Sequence, residues 1–236
     1  MSDALDSPAA PEPALILFDC DGTLVDSHGH IVAVMRQAFI EMGLEPPSHQ
    51  AVRAIIGLSL DAAVAALWPD GGADERRELA AAYRRLYRDT PAGHGLFDGV
   101  RETLEKLARR GWWMGVVTGK SLPGLMRVFE AFDLARFFLV WRTADQCPSK
   151  PHPAMALECM AELGVPAART RVVGDAVMDM QMARAAGARG IGVSFGAADE
   201  AALMRSGAFA VVHRFDELLA HFPPLPAAST SCTIGA

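Results

Sequence analysis

Hydrophobic positions along the chain follow two alternating periods. Short apolar runs, typical of buried strands, are predicted to form strands at residues 14–18, 112–117, 137–141, 171–173, 190–193 and 209–212. Between these runs, apolar residues recur every three or four positions, as they do in amphipathic helices. Strands that alternate with helices predict a parallel, doubly wound sheet of the α/β class.

Only helical periodicity is found between about residue 28 and residue 90, directly after the first strand. Ile31, Met35 and Ala38 share one apolar stripe, and Ser48 suits the N-cap of a following helix. We therefore expect an all-helical unit at 27–93, inserted into a core that consists of 14–26 and 94–222. The ends, 1–13 and 223–236, are rich in small residues and proline and are expected to be flexible.

Composition excludes several classes of function. The chain has 236 residues, 51% of them hydrophobic, and a net charge of −6, which is ordinary for a globular protein and unlike a nucleic-acid binder. The first residues lack the basic and apolar regions of a signal peptide, and no apolar run is long enough for a membrane span. Four scattered cysteines indicate reduced thiols. We expect a cytoplasmic protein that binds neither nucleic acid nor membranes.

Polar residues gather where the predicted strands end. Four strands are followed, in order, by Asp19 and Asp21, by Thr118 and Gly119, by Lys150, and by Asp175 with Asp179 one helical turn on. Taken singly, each has an ordinary explanation as a helix cap or a solvated charge. In a parallel sheet, however, all these ends lie on the edge where ligands bind. The set as a whole therefore predicts one functional site.

These groups suit phosphoryl transfer. Clustered carboxylates bind a hard cation such as Mg²⁺, and an ionised carboxylate can attack phosphorus. A second carboxylate can protonate the leaving oxygen and then activate water. A hydroxyl, an ammonium and backbone N–H groups can hold the phosphoryl oxygens, on which charge lies in the transition state.

The motif set resembles the haloacid dehalogenase-like superfamily. The matching residues are Asp19-Cys20-Asp21-Gly22-Thr23, Thr118-Gly119, Lys150-Pro151, and Gly174-Asp175 with Asp179. The helical insertion looks like the small helical cap of the phosphoglycolate phosphatase-like branch. The resemblance implies a Rossmann-like core and a Mg²⁺-dependent phosphatase that forms an aspartyl-phosphate intermediate with a small, phosphoglycolate-like ester.

The resemblance also implies a role for each residue. Asp19 would be the nucleophile and a Mg²⁺ ligand, and Asp21 would be the general acid/base that also gives its backbone carbonyl to the metal. Thr118, the Gly119 N–H and Lys150 would bind the phosphate. Asp175 would bind Mg²⁺ directly, and Asp179 would support the metal.

Two positions depart from the family pattern, and the cap leaves the substrate open. Gly119 stands where this branch often has Asn, and Ala176 where it often has Ser or Thr. The candidates for substrate contact from the cap are Arg53, Gly57 and Ser59. The loop around Gly57 has few basic groups, which favours a small phosphorylated metabolite, or one with little charge beyond its phosphate. The protein could be a monomer or a homodimer.

Two alternatives remain open. A phosphosugar mutase of the beta-phosphoglucomutase type shares the nucleophile and the acid/base; it usually has a basic residue soon after the cap glycine, where this chain has Leu58-Ser59-Leu60. A non-catalytic binding protein on the same scaffold would be expected to have lost a charged site residue. Asp21 argues against a true dehalogenase, and the absence of Lys between 28 and 90 argues against a phosphonate-cleaving relative.

Overall fold

The computed structural model describes residues 12–90 and 95–226, and shows a six-stranded parallel sheet. Its strands are β1 Leu15–Phe18, β2 Trp113–Thr118, β3 Val140–Thr143, β4 Thr170–Gly174, β5 Arg189–Val193 and β6 Ala208–Val212, arranged in the order β3-β2-β1-β4-β5-β6. The strand order reverses at β1, where the chain first runs to one side of the sheet and later to the other. The loops beyond β1 therefore stand at the position where doubly wound sheets bind ligands.

Nine α-helices accompany the strands in the described ranges. They are α1 His28–Glu41, α2 His49–Ala54, α3 Leu60–Leu67, α4 Ala73–Asp89, α5 Val100–Arg109, α6 Leu122–Phe132, α7 Ala154–Leu163, α8 Val177–Ala185 and α9 Glu200–Arg205. Three short 3-10 helices lie at Ala135–Phe137, Ala167–Arg169 and Phe215–Ala220. The observed architecture confirms the predicted fold class, a Rossmann-like parallel sheet with a helical insertion.

The central strand β1 is buried on both faces, which explains its unbroken apolar sequence. Ile16 and Phe18 belong to the cluster that holds side chains of α5 and α6. Leu15 and Leu17 point to the opposite face, into a cluster with side chains of α7 and α8. Two layers of helices thus fix β1 and the aspartates that follow it.

Helices α1 to α4, called the cap helices below, pack around a hydrophobic cluster of their own that includes Met35, Val52 and Leu79. Their short members begin where the sequence places serine caps. Ser48 Oγ accepts a hydrogen bond from the Ala51 N–H at 3.1 Å, and Ser59 Oγ accepts one from the Ala62 N–H at 3.3 Å. The cap at Ser59 sets the position of the loop that precedes α3.

The structure moves several predicted boundaries. The strand predicted at 137–141 begins at Val140, because Ala135–Phe137 forms a 3-10 turn and the Phe137 and Phe138 side chains are buried in the core. Residues 91–94 of the predicted insertion boundary lie outside the described residues, as do 1–11 and 227–236 of the predicted flexible ends.

The described part of the C-terminal segment is anchored on the core. The Trp112 Nε1–H donates to the Pro223 carbonyl at 2.8 Å, and the Leu225 N–H donates to the Arg110 carbonyl at 2.8 Å. These bonds hold Pro223 and Leu225 against the core, and the flexible end expected from residue 223 onward stays a prediction. Within the ranges that the structure covers, no helix is long and apolar enough to cross a bilayer.

Candidate active site

The residue after β1, Asp19, stands at the centre of a buried group of charges. Its backbone N–H donates to the Val173 carbonyl at 2.8 Å, which ties the end of β1 to β4. Its Oδ1 accepts a hydrogen bond from the Cys20 N–H at 2.7 Å and lies 2.9 Å from Lys150 Nζ. Asp19 is 1% exposed. The carboxylate is therefore held in place by backbone and by one cation.

Lys150 joins two aspartates that follow different strands. Its Nζ donates to Asp179 Oδ1 at 2.6 Å and lies 2.9 Å from Asp19 Oδ1. The second Asp179 oxygen accepts a hydrogen bond from the Ala176 N–H at 3.0 Å. Asp179 thereby holds Lys150 against Asp19. Because Ala176 donates this hydrogen bond through its backbone N–H, the bond forms without a Ser or Thr side chain at this position.

Burial shifts the protonation equilibria of this group. It raises the pKa of Asp19 well above its ordinary range, and Lys150 only partly offsets this effect. Burial likewise raises the pKa of Asp179. The pKa of Lys150 is raised despite burial, because the charges of Asp179 and Asp19 outweigh the desolvation of the ammonium. Lys150 is therefore a permanent cation beside Asp19.

Asp175 is fixed by contacts to both of its oxygens. Oδ1 accepts a hydrogen bond from the Thr23 hydroxyl at 2.8 Å, and Oδ2 accepts one from the Ala197 N–H at 2.7 Å. His28 Nε2 lies 3.3 Å from Oδ2. A Cβ on Gly22 would lie 2.2 Å from both Asp175 Oδ2 and His28 Nε2, so only glycine allows this approach.

The carboxylates fit a hard metal ion. Asp19, Asp175 and Asp179 each offer an oxygen, and these oxygens lie within 4.8 Å of one another. Asp19 Oδ2 is buried and has no hydrogen-bond partner among the residues that the structure describes. An orphaned buried carboxylate oxygen in an all-oxygen donor set is what a divalent cation would satisfy. Both oxygens of Asp175 and both oxygens of Asp179 already have protein partners, so the open Oδ2 of Asp19 is the strongest candidate for a direct ligand.

Asp21 lies apart from this cluster and has its own cation. Its Oδ1 lies 2.9 Å from Lys120 Nζ and accepts a hydrogen bond from the Ser27 hydroxyl. Burial would raise the pKa of Asp21, but the Lys120 charge together with the hydrogen bonds from Lys120 and Ser27 outweighs burial, and the pKa is lowered. Lys120 also donates to the Tyr87 hydroxyl of α4 at 3.1 Å. The two aspartates after β1 thus sit in opposite electrostatic environments.

The predicted phosphate-binding residues lie beside Asp19 and Asp21. Thr118 is the last residue of β2, is buried, and accepts a hydrogen bond from the Lys120 N–H on its Oγ1 at 3.2 Å. Gly119 touches the loop before α3. A Cβ at this position would lie 2.3 Å from the Leu58 carbonyl oxygen and 2.7 Å from that of Gly57. This contact explains why glycine stands where the family often has asparagine.

A cavity of about 360 Å³ separates the sheet edge from the cap helices. Asp19, Asp21, Thr118, Gly119 and Lys120 line it from the core side, and Gly57 and Ser59 line it from the cap side. The Ser59 N–H donates to the Ser149 hydroxyl at 2.8 Å, directly before Lys150, and so holds the cap loop on the core.

The third cap candidate has a different location. Arg53 lines a second cavity, of about 470 Å³, together with His28, Arg36 and His49 of α1 and α2. Its position gives no support to a contact with substrate at Asp19. The cavity at Asp19 instead receives Arg84 and Arg88 from α4 and Arg127 from α6.

Three contact residues escaped the sequence analysis. Ser27 and Lys120 contact Asp21, and Tyr87 contacts Lys120. Thr23, which matched the family motif without an assigned role, donates to Asp175. Lys120 directly follows Thr118-Gly119, which is the one local signal that could have identified it. Tyr87 and Asp175 find their partners only through the tertiary fold.

Comparison with known proteins agrees with this geometry. Residues 16–193 match the family model described as haloacid dehalogenase-like hydrolase. The chain belongs to this family. It is 35% identical over 210 residues to a protein of Dickeya dadantii named "Probable phosphatase IndB", which covers 87% of this chain and 91% of the relative. It is 31% identical over 210 residues to the phosphoglycolate phosphatase of Photorhabdus laumondii, with 86% and 90% covered.

A solved relative shows the same fold along its whole length. A hydrolase from Pseudomonas syringae superposes with a TM-score of 0.81 at 27% sequence identity, covering 89% of this chain and 97% of the other. The family, the fold class and the hydrolase activity expected from the sequence are thereby confirmed. Haloacid dehalogenase-like hydrolases named as phosphatases are what this chain is similar to.

Proposed function

We propose that this haloacid dehalogenase-like hydrolase is a Mg²⁺-dependent phosphatase that cleaves a small phosphate monoester through a phosphorylated Asp19. The observation that carries the proposal is the pairing of Asp19 with Lys150 in a buried site whose cavity wall also contains Asp21. A nucleophile, a permanent cation and a second carboxylate with a different environment stand around one space.

The two aspartates divide the reaction. An Asp19 oxygen forms a bond to phosphorus while the ester P–O bond breaks, and Asp21 gives its proton to the leaving alcohol oxygen. These roles need Asp19 ionised and Asp21 protonated, which is the reverse of the pKa shifts in the metal-free site. A cation at Asp19 would lower the pKa of Asp19, and the phosphate charge beside Asp21 would raise the pKa of Asp21. Asp21 then takes a proton from water as the water oxygen attacks the aspartyl phosphate, which releases inorganic phosphate and restores Asp19. Lys150, Thr118 and the Gly119 N–H offset the charge on the phosphoryl oxygens.

Asp19 and Asp175 would hold Mg²⁺, with the Asp21 backbone carbonyl as a further ligand and Asp179 as support. When bound, the ion supplies positive charge beside the phosphoryl group. Thr23 and the Ala197 N–H keep Asp175 in the orientation that such a ligand needs. Residues 27–93 would act as the cap over a core of 14–26 and 94–222, with Gly57 and Ser59 facing the substrate.

The test is release of inorganic phosphate from p-nitrophenyl phosphate and 2-phosphoglycolate, with Mg²⁺ and with excess EDTA. Turnover with Mg²⁺ that EDTA abolishes supports the proposal. Asp19→Asn should be inactive, and the matched control Asp26→Asn, an exposed residue of the same segment, should be active. Product analysis separates a phosphatase from a mutase, since a mutase returns an isomeric sugar phosphate without net phosphate release. Binding of esters without turnover would favour a non-catalytic protein.

A further inference from the structure

The cavity walls identify the class of alcohol that the phosphate is attached to. Resting on the proposed function, we infer that the preferred substrate is a phosphate monoester whose leaving group is a neutral alcohol carrying a ring with an apolar face. The inference depends on the chemistry of the walls opposite Asp19 and Asp21, on the pairing of the cations, and on the volume of the space.

The wall that faces the aspartates is largely apolar. Its described apolar and aromatic members come from α1, the loop before α3, α3 and α4, and include Ile31, Met35, Leu58, Leu60, Tyr83 and Tyr87. Ser59, Asp61, Arg84 and Arg88 of the same elements also line the cavity, the two arginines as exposed residues. The Tyr83 and Tyr87 ring centroids are 5.6 Å apart. Such a surface stabilises a leaving group by removing apolar area from water, and aromatic faces favour rings.

Among the described residues that line this cavity, each cationic side chain is either paired with a carboxylate or exposed. The Lys120 Nζ is paired with Asp21 Oδ1 at 2.9 Å, and the Arg84 Nη2 lies 3.2 Å from Asp61 Oδ1. The other two guanidinium groups that line the cavity, Arg88 and Arg127, belong to exposed residues at its rim. A carboxylate on the leaving group would therefore lose its hydration against the apolar side chains without an unpaired buried cation among the described lining residues, which is unfavourable.

The volume also favours a ring. Cavities of roughly 300 to 1,000 Å³ hold ligands of drug size, and this one measures about 360 Å³. A two-carbon acid such as glycolate would leave most of the apolar wall uncovered. A ring-bearing alcohol would cover it while the phosphate reaches Asp19. The cavity thus favours a bulkier and less charged ester than the one that names the phosphoglycolate phosphatases.

The direct test compares kcat/KM for benzyl phosphate, a nucleoside 5′-monophosphate, glucose 6-phosphate and 2-phosphoglycolate. We expect the best ring ester to exceed 2-phosphoglycolate by about tenfold or more, the range expected from burying one apolar ring. The comparison also identifies the kind of ring. A preference for benzyl phosphate or the nucleotide indicates an aromatic ring, and a preference for glucose 6-phosphate indicates a saturated ring. A higher kcat/KM for 2-phosphoglycolate than for every ring ester overturns the inference.

A charge placed on the apolar wall sharpens the test. Leu60 is half-buried at the start of α3 and lines the cavity, so Leu60→Lys should lower kcat/KM for the ring esters and raise it for 2-phosphoglycolate. The matched control is Leu157→Lys, an exposed leucine of α7 outside the cavity, which should leave both values unchanged. An equal loss for all esters in Leu60→Lys would count against the assigned wall.

Failure of this inference can be told apart from failure of the proposed function. Calorimetric titration of Asp19→Asn with benzyl phosphate and with 2-phosphoglycolate, in Mg²⁺, measures recognition without turnover. If wild type hydrolyses 2-phosphoglycolate best and Asp19→Asn also binds it more tightly, the phosphatase stands and the ring preference is wrong. If no ester is hydrolysed, the proposed function fails, and the binding order still decides the present inference.

Discussion

Lys120 Nζ lies 2.9 Å from Asp21 Oδ1 and 3.1 Å from the Tyr87 hydroxyl, so one ammonium connects the second aspartate to a cap helix. The pKa of Lys120 is raised despite its burial, chiefly by Asp21. Asp21 is therefore held by two partners, the Ser27 hydroxyl and the Lys120 ammonium. Asp19 instead depends on Lys150 alone among the cations that contact it in the described structure.

Asp21→Asn should lower the rate of hydrolysis most for esters whose alcohols are poor leaving groups. An amide cannot donate the proton that an alkoxide needs, and general acid catalysis contributes about 10²- to 10⁴-fold. We expect a loss of that size in kcat/KM for benzyl phosphate and a loss below about tenfold for p-nitrophenyl phosphate, whose leaving group needs no proton. Equal losses on both esters, with Mg²⁺ affinity unchanged by calorimetry, would contradict the assignment of Asp21 as the acid.

Thr23→Val should raise the Mg²⁺ concentration that half-saturates the enzyme. The valine keeps the shape of threonine but removes the hydroxyl that donates to Asp175 Oδ1 at 2.8 Å. Loss of a group that orients a metal ligand typically costs about 10- to 100-fold in affinity or activity. Mg²⁺ titration by calorimetry and by activity measures the shift, and Thr90→Val, exposed at the end of α4, is the control. An unchanged Mg²⁺ requirement would remove Asp175 from the metal site.

Gly119→Ala should loosen the contact between the cap loop and the core. The new Cβ would lie 2.3 Å from the Leu58 carbonyl oxygen, so the loop must move and strain the Ser59–Ser149 hydrogen bond. Overpacking of this kind costs about 1–3 kcal/mol, and we expect kcat/KM to fall by about tenfold or more. Gly29→Ala is the matched control, because a Cβ there meets nothing within 4 Å. Equal activity of the two variants would show that this contact is unimportant.

Asp19→Asn should stabilise the metal-free protein, by an amount that depends on pH. Because burial raises the pKa of Asp19 in the folded state, ionising it costs stability as pH rises above the unfolded value, about 4. The amide in Asp19→Asn does not ionise, so the variant does not lose this stability, and Lys150 remains paired with Asp179. In EDTA, the Tm advantage of Asp19→Asn should vanish near pH 4 and grow toward neutral pH, by about 2–4 °C for each kcal/mol. Asp26→Asn should show no such trend. A pH-independent difference would contradict the burial of an ionised Asp19.

The sequence predicted a candidate site at the carboxyl edge of the sheet, because buried strands do not tolerate carboxylates. Asp19, Asp21 and Asp175 each stand directly beyond an apolar run, and parallel strands bring such ends together. The strand at 137–141 was misplaced because Phe137 and Phe138 are apolar for packing reasons, in a turn before the strand. Apolar character alone does not distinguish these two uses of an aromatic residue.

The sequence did not predict most of the side chains that hold Asp21 and Asp175 in place. Tyr87 and Thr23 show no periodicity or spacing that indicates their partners, which lie on other elements of the fold, and Lys120 is marked only by its place directly after Thr118-Gly119. Arg53 was a cap candidate because it is basic, yet the turn of α2 places it in a different cavity. Glycine is required at position 119 because the Leu58 carbonyl oxygen lies close by. A contact with a backbone atom cannot be predicted from residue types.

The most direct test of the account is to locate the covalent intermediate. The enzyme is quenched with acid during turnover in Mg²⁺ and treated with borohydride, which reduces an aspartyl phosphate to homoserine, and peptides are then read by mass spectrometry. The account predicts homoserine at position 19, dependent on substrate and absent when EDTA is present. Phosphate release without modification at position 19, or homoserine at another aspartate, would contradict Asp19 as the nucleophile.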